Sequence, residues 1–320
     1  MSNSIKILFT LLFFVSMALG QNLKCTYCNK EITGKYIVVD GKPYHKNHFK
    51  CANCGKTITG NYYKKNGNYY DKNCFEKLFM PKCAVCNKPI NGEYYTDLYG
   101  MKIHKYHENE LPRCDNCNRI ISERTTHGGV KYKDGRNICN LCYAKKLSTQ
   151  AEYEKSLKKV VARLSNYKLK FDVENIKLKI VNLKELQKIS GNKYSKSIQG
   201  FTKTKIEYFF GKKTYTHTIY ILSDIPAKYA ESTIAHELMH TWLSKNIKNK
   251  LSPQLEEGSC NYISYTYLKS DYSEDAKNII KQLKHNPDKI YGDGFRKVYN
   301  RFVGRDFGLF IEYLKKHSNI

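Results

Sequence analysis

The spacing of cysteine and histidine between residues 25 and 142 constrains this chain more than any other feature. Eleven of its 12 cysteines fall there, mostly as pairs separated by two residues, and an odd number cannot all pair as disulfides. Histidine pairs with the same spacing alternate with the cysteine pairs. A pair two residues apart lets a tight turn present both side chains to one ion, and two such pairs complete a tetrahedron. The pattern therefore favours structural zinc over a disulfide framework.

The donors make up four complete tetrahedral sites. Eleven cysteines, four histidines and one aspartate give 16 donors, and no site keeps an open position, so we expect structural rather than catalytic metal. We assign the four sets, in chain order, as Cys25, Cys28, His45 and His48; Cys51, Cys54, Asp71 and Cys74; Cys83, Cys86, His104 and His107; and Cys114, Cys117, Cys139 and Cys142.

The stretch Tyr44–Cys54, followed by Tyr70–Phe75, resembles a LIM domain, in which two residues separate two zinc fingers. Asp71 stands where many LIM domains have cysteine. The second unit departs from this pattern because six residues separate its fingers, and we describe it as LIM-like. The resemblance implies that these units bind a protein partner. The net charge of +26 is spread along the chain rather than held in one basic arm, so nucleic acid is the less favoured partner.

The N-terminus has the features of a secretory signal. Lys6 precedes an apolar run from Ile7 to Leu19, and small residues around Gly20 suit a cleavage site. The run is too short to span a bilayer comfortably. A buried core helix is the alternative, but polar, cysteine-rich sequence follows at once. We expect a signal peptide over residues 1–20 and an exported chain with no transmembrane anchor after cleavage.

Beyond the fingers, the hydrophobic period predicts the secondary structure. Helical spacing indicates a connecting helix over residues 147–164. Alternating apolar positions predict strands over 169–173 and 176–180, and residues 205–210 and 214–222 read as the two arms of a hairpin.

A helix predicted over residues 228–247 carries the motif HExxH at His236–His240. The two histidines stand one turn apart on one face, with about 5–6 Å between Cβ atoms, which suits two imidazoles on one zinc ion. Glu237 lies beside that face and can take a proton from a water activated by the metal. A chance match is one alternative, and four-helix metal proteins also place glutamate and histidine one turn apart.

The next predicted helix, from Leu255 to Leu268, supplies a candidate third ligand. In gluzincin-type peptidases this ligand is a glutamate on the following helix, often just before a glycine. The resemblance implies Glu257, with Glu256 as its supporting residue or its substitute. We expect Cys260, on the same helix, to be a buried core thiol.

The wider segments Leu251–Gly258 and Ile290–Arg296 resemble the LIM-containing, ubiquitin-activated peptidases that limit organ growth in plants. The likeness runs from Cys25 to the C-terminus in the same order of modules. Those proteins carry ubiquitin-interacting helices before the LIM domain and act inside cells, so ubiquitin activation is not carried over. Tyr291, within the second segment, either donates a hydrogen bond to the oxyanion or packs.

The resulting expectation is a multidomain protein. After the signal peptide come a LIM domain (21–80), a LIM-like double zinc finger (81–146) and an α+β, gluzincin-like HExxH zinc-peptidase domain (147–320). It would hold one catalytic and four structural Zn²⁺ and hydrolyse peptide bonds of protein or peptide substrates. An extended substrate would pair with an edge strand, for which Tyr215–Leu222 is the candidate. The alternative is a LIM-type adaptor with a silent peptidase domain.

Overall fold

The computed structural model describes residues 23–191, 197–210 and 212–320. The chain divides into two compact units. The first runs to Cys83 and includes Asn87–Tyr94, and the second comprises Ala84–Cys86 and Tyr95–Ile320. The predicted signal peptide, residues 1–20, lies outside the described residues. Within the described ranges, no helix has the length and apolar character needed to cross a bilayer.

The first unit contains two short antiparallel hairpins and one helix. These elements are β1 (Tyr36–Val39), β2 (Lys42–His45), β3 (Tyr62–Lys65), β4 (Asn68–Asp71) and α1 (Lys72–Phe79). Its small core is aromatic: the Phe49 ring, 1% exposed, lies 5.3 Å from Tyr62 and 5.1 Å from Tyr69, both edge to face. Edge-to-face aromatic pairs add stability beyond the area they bury, which suits a unit with few aliphatic residues.

Short elements also make up the following fingers. They are β5 (Tyr94–Thr96), β6 (Lys102–His104), α2 (His107–Glu110), α3 (Glu123–Thr126), β7 (Gly129–Lys131), β8 (Asn137–Cys139) and α4 (Asn140–Tyr143). The last finger shares the main core of the second unit, because Ile138 and its four cysteines are buried in one cluster with Tyr153 and Leu157. A hydrogen bond from the buried Tyr153 hydroxyl to the Leu222 carbonyl oxygen, 3.0 Å, ties the next helix to the sheet of that unit.

A three-stranded sheet lies in the second unit, formed by β9 (Ile176–Val181), β10 (Gly200–Phe209) and β11 (Lys212–Leu222). Its order is β10-β11-β9: β11 pairs antiparallel with β10 and, from His217 to Leu222, parallel with β9. The predicted hairpin is therefore confirmed. The expectation that Tyr215–Leu222 forms an edge strand is wrong, because β9 covers its other side. The edge is β10.

Seven helices accompany this sheet in the described part of the second unit beyond the fingers. They are α5 (Gln150–Ser165), α6 (Leu183–Ser190), α7 (Ala227–Asn246), α8 (Pro253–Leu268), α9 (Glu274–His285), α10 (Tyr291–Phe302) and α11 (Phe307–Lys316). The predicted helices at α5, α7 and α8 are confirmed, with ends that differ by no more than three residues. Helix α5 begins where its capping box predicts: the Thr149 hydroxyl accepts from the Glu152 backbone, and Glu152 accepts in return.

The strand predicted over residues 169–173 is wrong. Lys168 adopts a left-handed backbone (φ 61°) just after α5, and a 3₁₀ turn follows at Val173–Asn175. No strand forms in the segment between them. The apolar positions of this segment do not share one buried face, because Leu169 is buried whereas Val173 is 40% exposed.

A buried carboxylate joins three helices of this unit. Glu231 of α7, whose side chain is 5% exposed, accepts hydrogen bonds from Lys159 Nζ (2.6 Å), Lys228 Nζ (2.6 Å) and Tyr267 Oη (2.8 Å). Burial raises the pKa of Glu231, but these three donors outweigh it and hold the pKa below its ordinary value. The charged form therefore stabilises the contacts of α7 with α5 and α8.

We expect Glu231→Gln to lower the free energy of unfolding by about 2–3 kcal/mol near neutral pH, because it removes the charge that two lysines face. A group with a lowered folded-state pKa contributes its stability above its unfolded pKa and loses it as the pH falls through the folded value. The difference from wild type should therefore shrink below about pH 4. Denaturant unfolding at both pH values measures it. Glu274→Gln, at a side chain that is 74% exposed, is the matched control and should change stability by less than about 0.5 kcal/mol.

Candidate metal centre and active-site cleft

Helix α7 brings the HExxH residues together. Ile234, Ala235, Leu238 and Met239 are fully buried, which fixes the helix in the core as its sequence predicts. The His236 and His240 rings lie on one face, 5.1 Å apart and edge to face. Glu237 points beside them and is 4% exposed.

Glu257 of α8 reaches both imidazoles. Its Oε2 lies 3.1 Å from His236 Nε2 and 3.6 Å from His240 Nε2. These separations match the edges of a zinc tetrahedron, about 3.4 Å for nitrogen and oxygen donors at ~2.1 Å from the metal. The same oxygen is shielded from solvent and makes no hydrogen bond of good geometry, so it is an orphaned acceptor that a cation would satisfy. Burial raises the pKa of Glu257, but the two imidazoles outweigh it, and the pKa lies below its ordinary value. The three residues fit a zinc ion.

Glu256, the alternative third ligand, takes a different position. Its Oε1 lies 3.3 Å from His240 Nδ1, and its side chain is 45% exposed. It contacts the ring nitrogen on the opposite side of the imidazole from Glu257. The geometry suits a residue that orients His240 by accepting its Nδ1 proton.

Asn261 orients the other histidine, and the sequence analysis did not identify it. Its Oδ1 lies 2.9 Å from His236 Nδ1, and its Nδ2 donates to the Tyr291 carbonyl oxygen at 3.1 Å. An acceptor at Nδ1 holds the proton there and leaves the Nε2 lone pair free for a metal. Asn261 lies four residues beyond Glu257 on α8, so helical spacing is the signal that could have revealed it.

Cys260 is completely buried, as predicted, and it lies close to both histidines. Its sulfur lies within 4.8 Å of a ring nitrogen of both His236 and His240. Burial raises the pKa of the Cys260 thiol to about 12. Its sulfur and the two ring nitrogens thus form a further group that could hold a metal ion.

Two residues of the edge strand approach Glu237 from the other side. The Thr202 hydroxyl donates to Glu237 Oε2 at 2.7 Å, and a Cβ added at Gly200 would lie 2.6 Å from Glu237 Oε1. Neither residue carries a recognisable sequence signal, because both contacts join segments far apart in the chain.

Tyr291 stands at the rim of this centre. Its ring is stacked 6.4 Å from His236, and it is 42% exposed. Burial, and then the charge of Glu257, raise the pKa of the Tyr291 hydroxyl to about 12, so it stays protonated at neutral pH. A proton donor at this position is compatible with both roles expected for it, which remain predictions.

These side chains line one cleft of about 1070 Å³. Its lining includes Gln199 and the start of β10, Gly200 to Thr202, together with residues of α7. Asn286 and Tyr291 also line it. The volume exceeds what a buried metal alone needs and lies at the upper limit of the usual range for ligand pockets, about 1,000 Å³.

The glycines of the segment Ile290–Arg296 explain part of its pattern. An added Cβ at Gly294 would lie 2.4 Å from the Gln254 carbonyl oxygen, and one at Gly258 would lie 2.4 Å from the Gly294 backbone. Helices α8 and α10 therefore meet backbone to backbone beside Glu257.

The finger donors also come together as predicted. The donor atoms of each of the four sets lie within 4.8 Å of one another, and none of the 12 cysteines forms a disulfide. In the first set, Cys25 Sγ lies 3.6 Å from His48 Nδ1, Cys28 Sγ lies 3.5 Å from His45 Nδ1, and the two Nδ1 atoms are 3.3 Å apart. Zinc bond lengths of ~2.3 Å to sulfur and ~2.05 Å to nitrogen give tetrahedral edges of about 3.6 and 3.4 Å. These groups are compatible with bound zinc.

Asp71 stands where many LIM domains have cysteine, and its two carboxylate oxygens make different contacts. Its Oδ2 lies 3.1 Å from Cys54 Sγ, whereas its Oδ1 accepts from the Cys74 backbone N–H at 2.8 Å and caps α1. One carboxylate oxygen thus lies among the candidate metal donors while the other caps the helix, which a thiolate could not do equally well.

Comparison with known proteins agrees with the order of these parts. Residues 25–79 match the LIM domain family, and residues 180–281, which carry α7 and α8, match a family described as DA1-like, Protein DA1. The chain is 23% identical over 267 residues to LIM domain-containing protein HDR3 of Oryza sativa subsp. japonica, which covers 63% of this chain and 52% of that protein. It is 23% identical over 237 residues to Protein DA1 of Arabidopsis thaliana, covering 64% of this chain and 44% of that protein.

A shorter match to Protein DA1-related 2 of Arabidopsis thaliana has 38% identity over 64 residues, or 20% of this chain and 12% of that protein. The chain therefore spans about half or less of the length of these relatives. It combines a LIM domain with a following DA1-like domain, and it resembles the LIM-containing DA1 and DA1-related proteins of plants.

Proposed function

We propose that this chain is an exported zinc metallopeptidase that cleaves peptide bonds of protein substrates. The observation that carries the proposal is the convergence of His236, His240 and Glu257 on one point of an open cleft, with Glu237 beside them. Two histidines and a glutamate form the donor set of catalytic zinc sites, which keep a fourth position open.

When bound there, zinc supplies a Lewis acid that polarises the scissile carbonyl and makes water a nucleophile near neutral pH. Glu237 is the general base that takes the proton of the attacking water and then passes it to the leaving amine. Thr202 occupies Glu237 Oε2, so Oε1 is the oxygen left for proton transfer. Asn261 and Glu256 keep both imidazoles in the orientation that the metal requires.

We propose that the substrate binds along the edge strand β10. Because β11 covers only one side of β10, an extended peptide can add to the other by main-chain hydrogen bonds. Residues Gln199 to Thr202 line the cleft next to Glu237. In this proposal β10 takes the substrate-pairing role that was first expected of Tyr215–Leu222.

The remaining parts have proposed roles that rest on sequence. The four finger groups hold structural zinc and bind a protein partner, either the substrate or a regulator. The apolar run Ile7–Leu19 directs export, which places the substrates among surface or secreted proteins.

The test compares cleavage by wild type and Glu237→Gln on surface and secreted proteins, together with zinc content. We expect new N-termini from wild type, and a rate about 10²–10⁴-fold lower for the variant because it lacks the base. Both proteins should hold five zinc ions, four in the finger groups and one at His236, His240 and Glu257. A chelator that removes only the fifth ion should abolish cleavage reversibly.

A silent adaptor predicts four ions and no difference between the two proteins. If Glu237→Gln cuts every site that the wild type cuts, the assignment of the base is wrong.

A further inference from the structure

The edge strand and the candidate general base are joined by a hydrogen bond. Thr202 of β10 donates from Oγ1 to Glu237 Oε2 at 2.7 Å, and the same hydroxyl lies 3.2 Å from the Glu237 carbonyl oxygen. Glu237 is 4% exposed, so few waters can replace this donor. A hydrogen bond to a charged, buried carboxylate is among the stronger side-chain contacts in proteins.

The strand is also shaped around the other carboxylate oxygen. Gly200 precedes Thr202 by two residues, and an added Cβ there would lie 2.6 Å from Glu237 Oε1 and 2.6 Å from Thr233 Cγ2. Residues two apart on a strand face the same side. Gly200 therefore leaves room for Glu237 Oε1, and Thr202, on the same face of the strand, donates a hydrogen bond to Oε2.

We propose that Thr202 is a positioning residue, which holds Glu237 Oε2 so that Oε1 faces the reacting water. The inference rests on the proposed peptidase function and adds a residue to it. Since β10 would pair with the substrate and also contacts Glu237 of α7, this one strand would set the position of the scissile bond relative to the base. A carboxylate without this donor can rotate about its terminal torsion, which has a broad energy minimum.

The test uses Thr202→Val, which keeps the shape and removes the hydroxyl, and Thr202→Ser, which keeps the hydroxyl. We expect Thr202→Val to lower kcat about 10- to 30-fold with KM within about twofold, because orientation of a general base acts on the chemical step. Thr202→Ser should restore kcat to within about threefold of wild type. Thr214→Val is the matched control in the same hairpin, since its hydroxyl donates to the Glu207 carbonyl oxygen instead.

Two further readouts separate positioning from a structural role. The zinc content of Thr202→Val should equal that of Thr214→Val. Its thermal midpoint should fall by only a few degrees, because one buried hydrogen bond is lost, and the protein should stay fully folded at the assay temperature. In a Glu237→Gln background, Thr202→Val should lower the residual rate no further, because it acts only through that carboxylate.

Unchanged kcat in Thr202→Val, failure of Thr202→Ser to restore it, or an equal loss in the Glu237→Gln background would each overturn the positioning role. In those cases wild-type, Glu237-dependent cleavage still supports the proposed function. If wild type cleaves nothing, the proposed function fails, and the positioning role fails with it.

Discussion

Glu257→Gln is expected to lose the cleft zinc ion and to lower the cleavage rate by about 10³-fold or more. Glu257 Oε2 lies 3.1 and 3.6 Å from the two imidazole nitrogens and has no hydrogen bond of good geometry. A neutral amide is a much weaker zinc donor than a carboxylate, and it removes the negative charge from a buried centre. The loss should therefore appear first in metal affinity and only then in rate.

Glu256→Gln is the matched comparison, because the two glutamates are neighbours on α8. Its Oε1 contacts the Nδ1 side of His240 at 3.3 Å, and its side chain is 45% exposed. We expect it to keep the fifth zinc ion, with affinity or rate lowered about 10- to 100-fold, as for other residues that orient a ligand.

Zinc content and competition with a chelator of known affinity measure both variants. The four finger ions serve as an internal control for folding and should remain in each protein. If Glu256→Gln loses the fifth ion while Glu257→Gln keeps it, the two glutamates have exchanged roles.

The sequence predicts best those contacts that one helix or one turn creates. His236 and His240 share a helix face because they are four residues apart, and each cysteine pair of a finger meets its ion through a tight turn. The four finger sets needed only these short spacings and a count of donors. Short spacings alone did not identify Glu257. The family resemblance favoured it over Glu256, and its distances to the two imidazoles give that choice a physical reason.

Contacts between distant segments could not be predicted in this way. The parallel pairing of β9 with β11 makes β11 the central strand and leaves β10 at an edge, and nothing in the alternating pattern of 214–222 distinguishes a central strand from an edge strand. Thr202 and Gly200 approach Glu237 only because of that order. The alternating apolar residues at 169–173 were similarly misleading. Leu169 is buried, but no strand forms there and a 3₁₀ turn follows at Val173–Asn175.

Gly294→Ala is expected to destabilise the second unit by about 3 kcal/mol and to lower its thermal midpoint by roughly 10 °C. The added Cβ would lie 2.4 Å from the Gln254 carbonyl oxygen, which is backbone and cannot rotate away. Gly294 is the fourth residue of α10 and does not have a positive φ, so the glycine serves the close approach of α8 and not an unusual backbone conformation. The helices must separate for the methyl group to fit.

The same separation should reach the metal centre. Gly258, whose own Cβ would lie 2.4 Å from the Gly294 backbone, follows Glu257 directly, and Tyr291 begins α10. Moving α10 outward therefore shifts the Asn261 contact with the Tyr291 carbonyl oxygen as well as one wall of the cleft. We expect Gly294→Ala to weaken cleft zinc binding and cleavage even at temperatures where the protein stays folded.

Thermal unfolding and zinc affinity of Gly294→Ala and Gly258→Ala measure both effects. Gly60→Ala is the control, since an added Cβ there meets nothing within 4 Å. If both helix variants unfold within about 1 kcal/mol of wild type and bind the fifth zinc ion equally well, the close approach of α8 and α10 does not hold Glu257 in place. Glycine at positions 258 and 294 would then need a different explanation, because α8 and α10 would have been shown to separate readily.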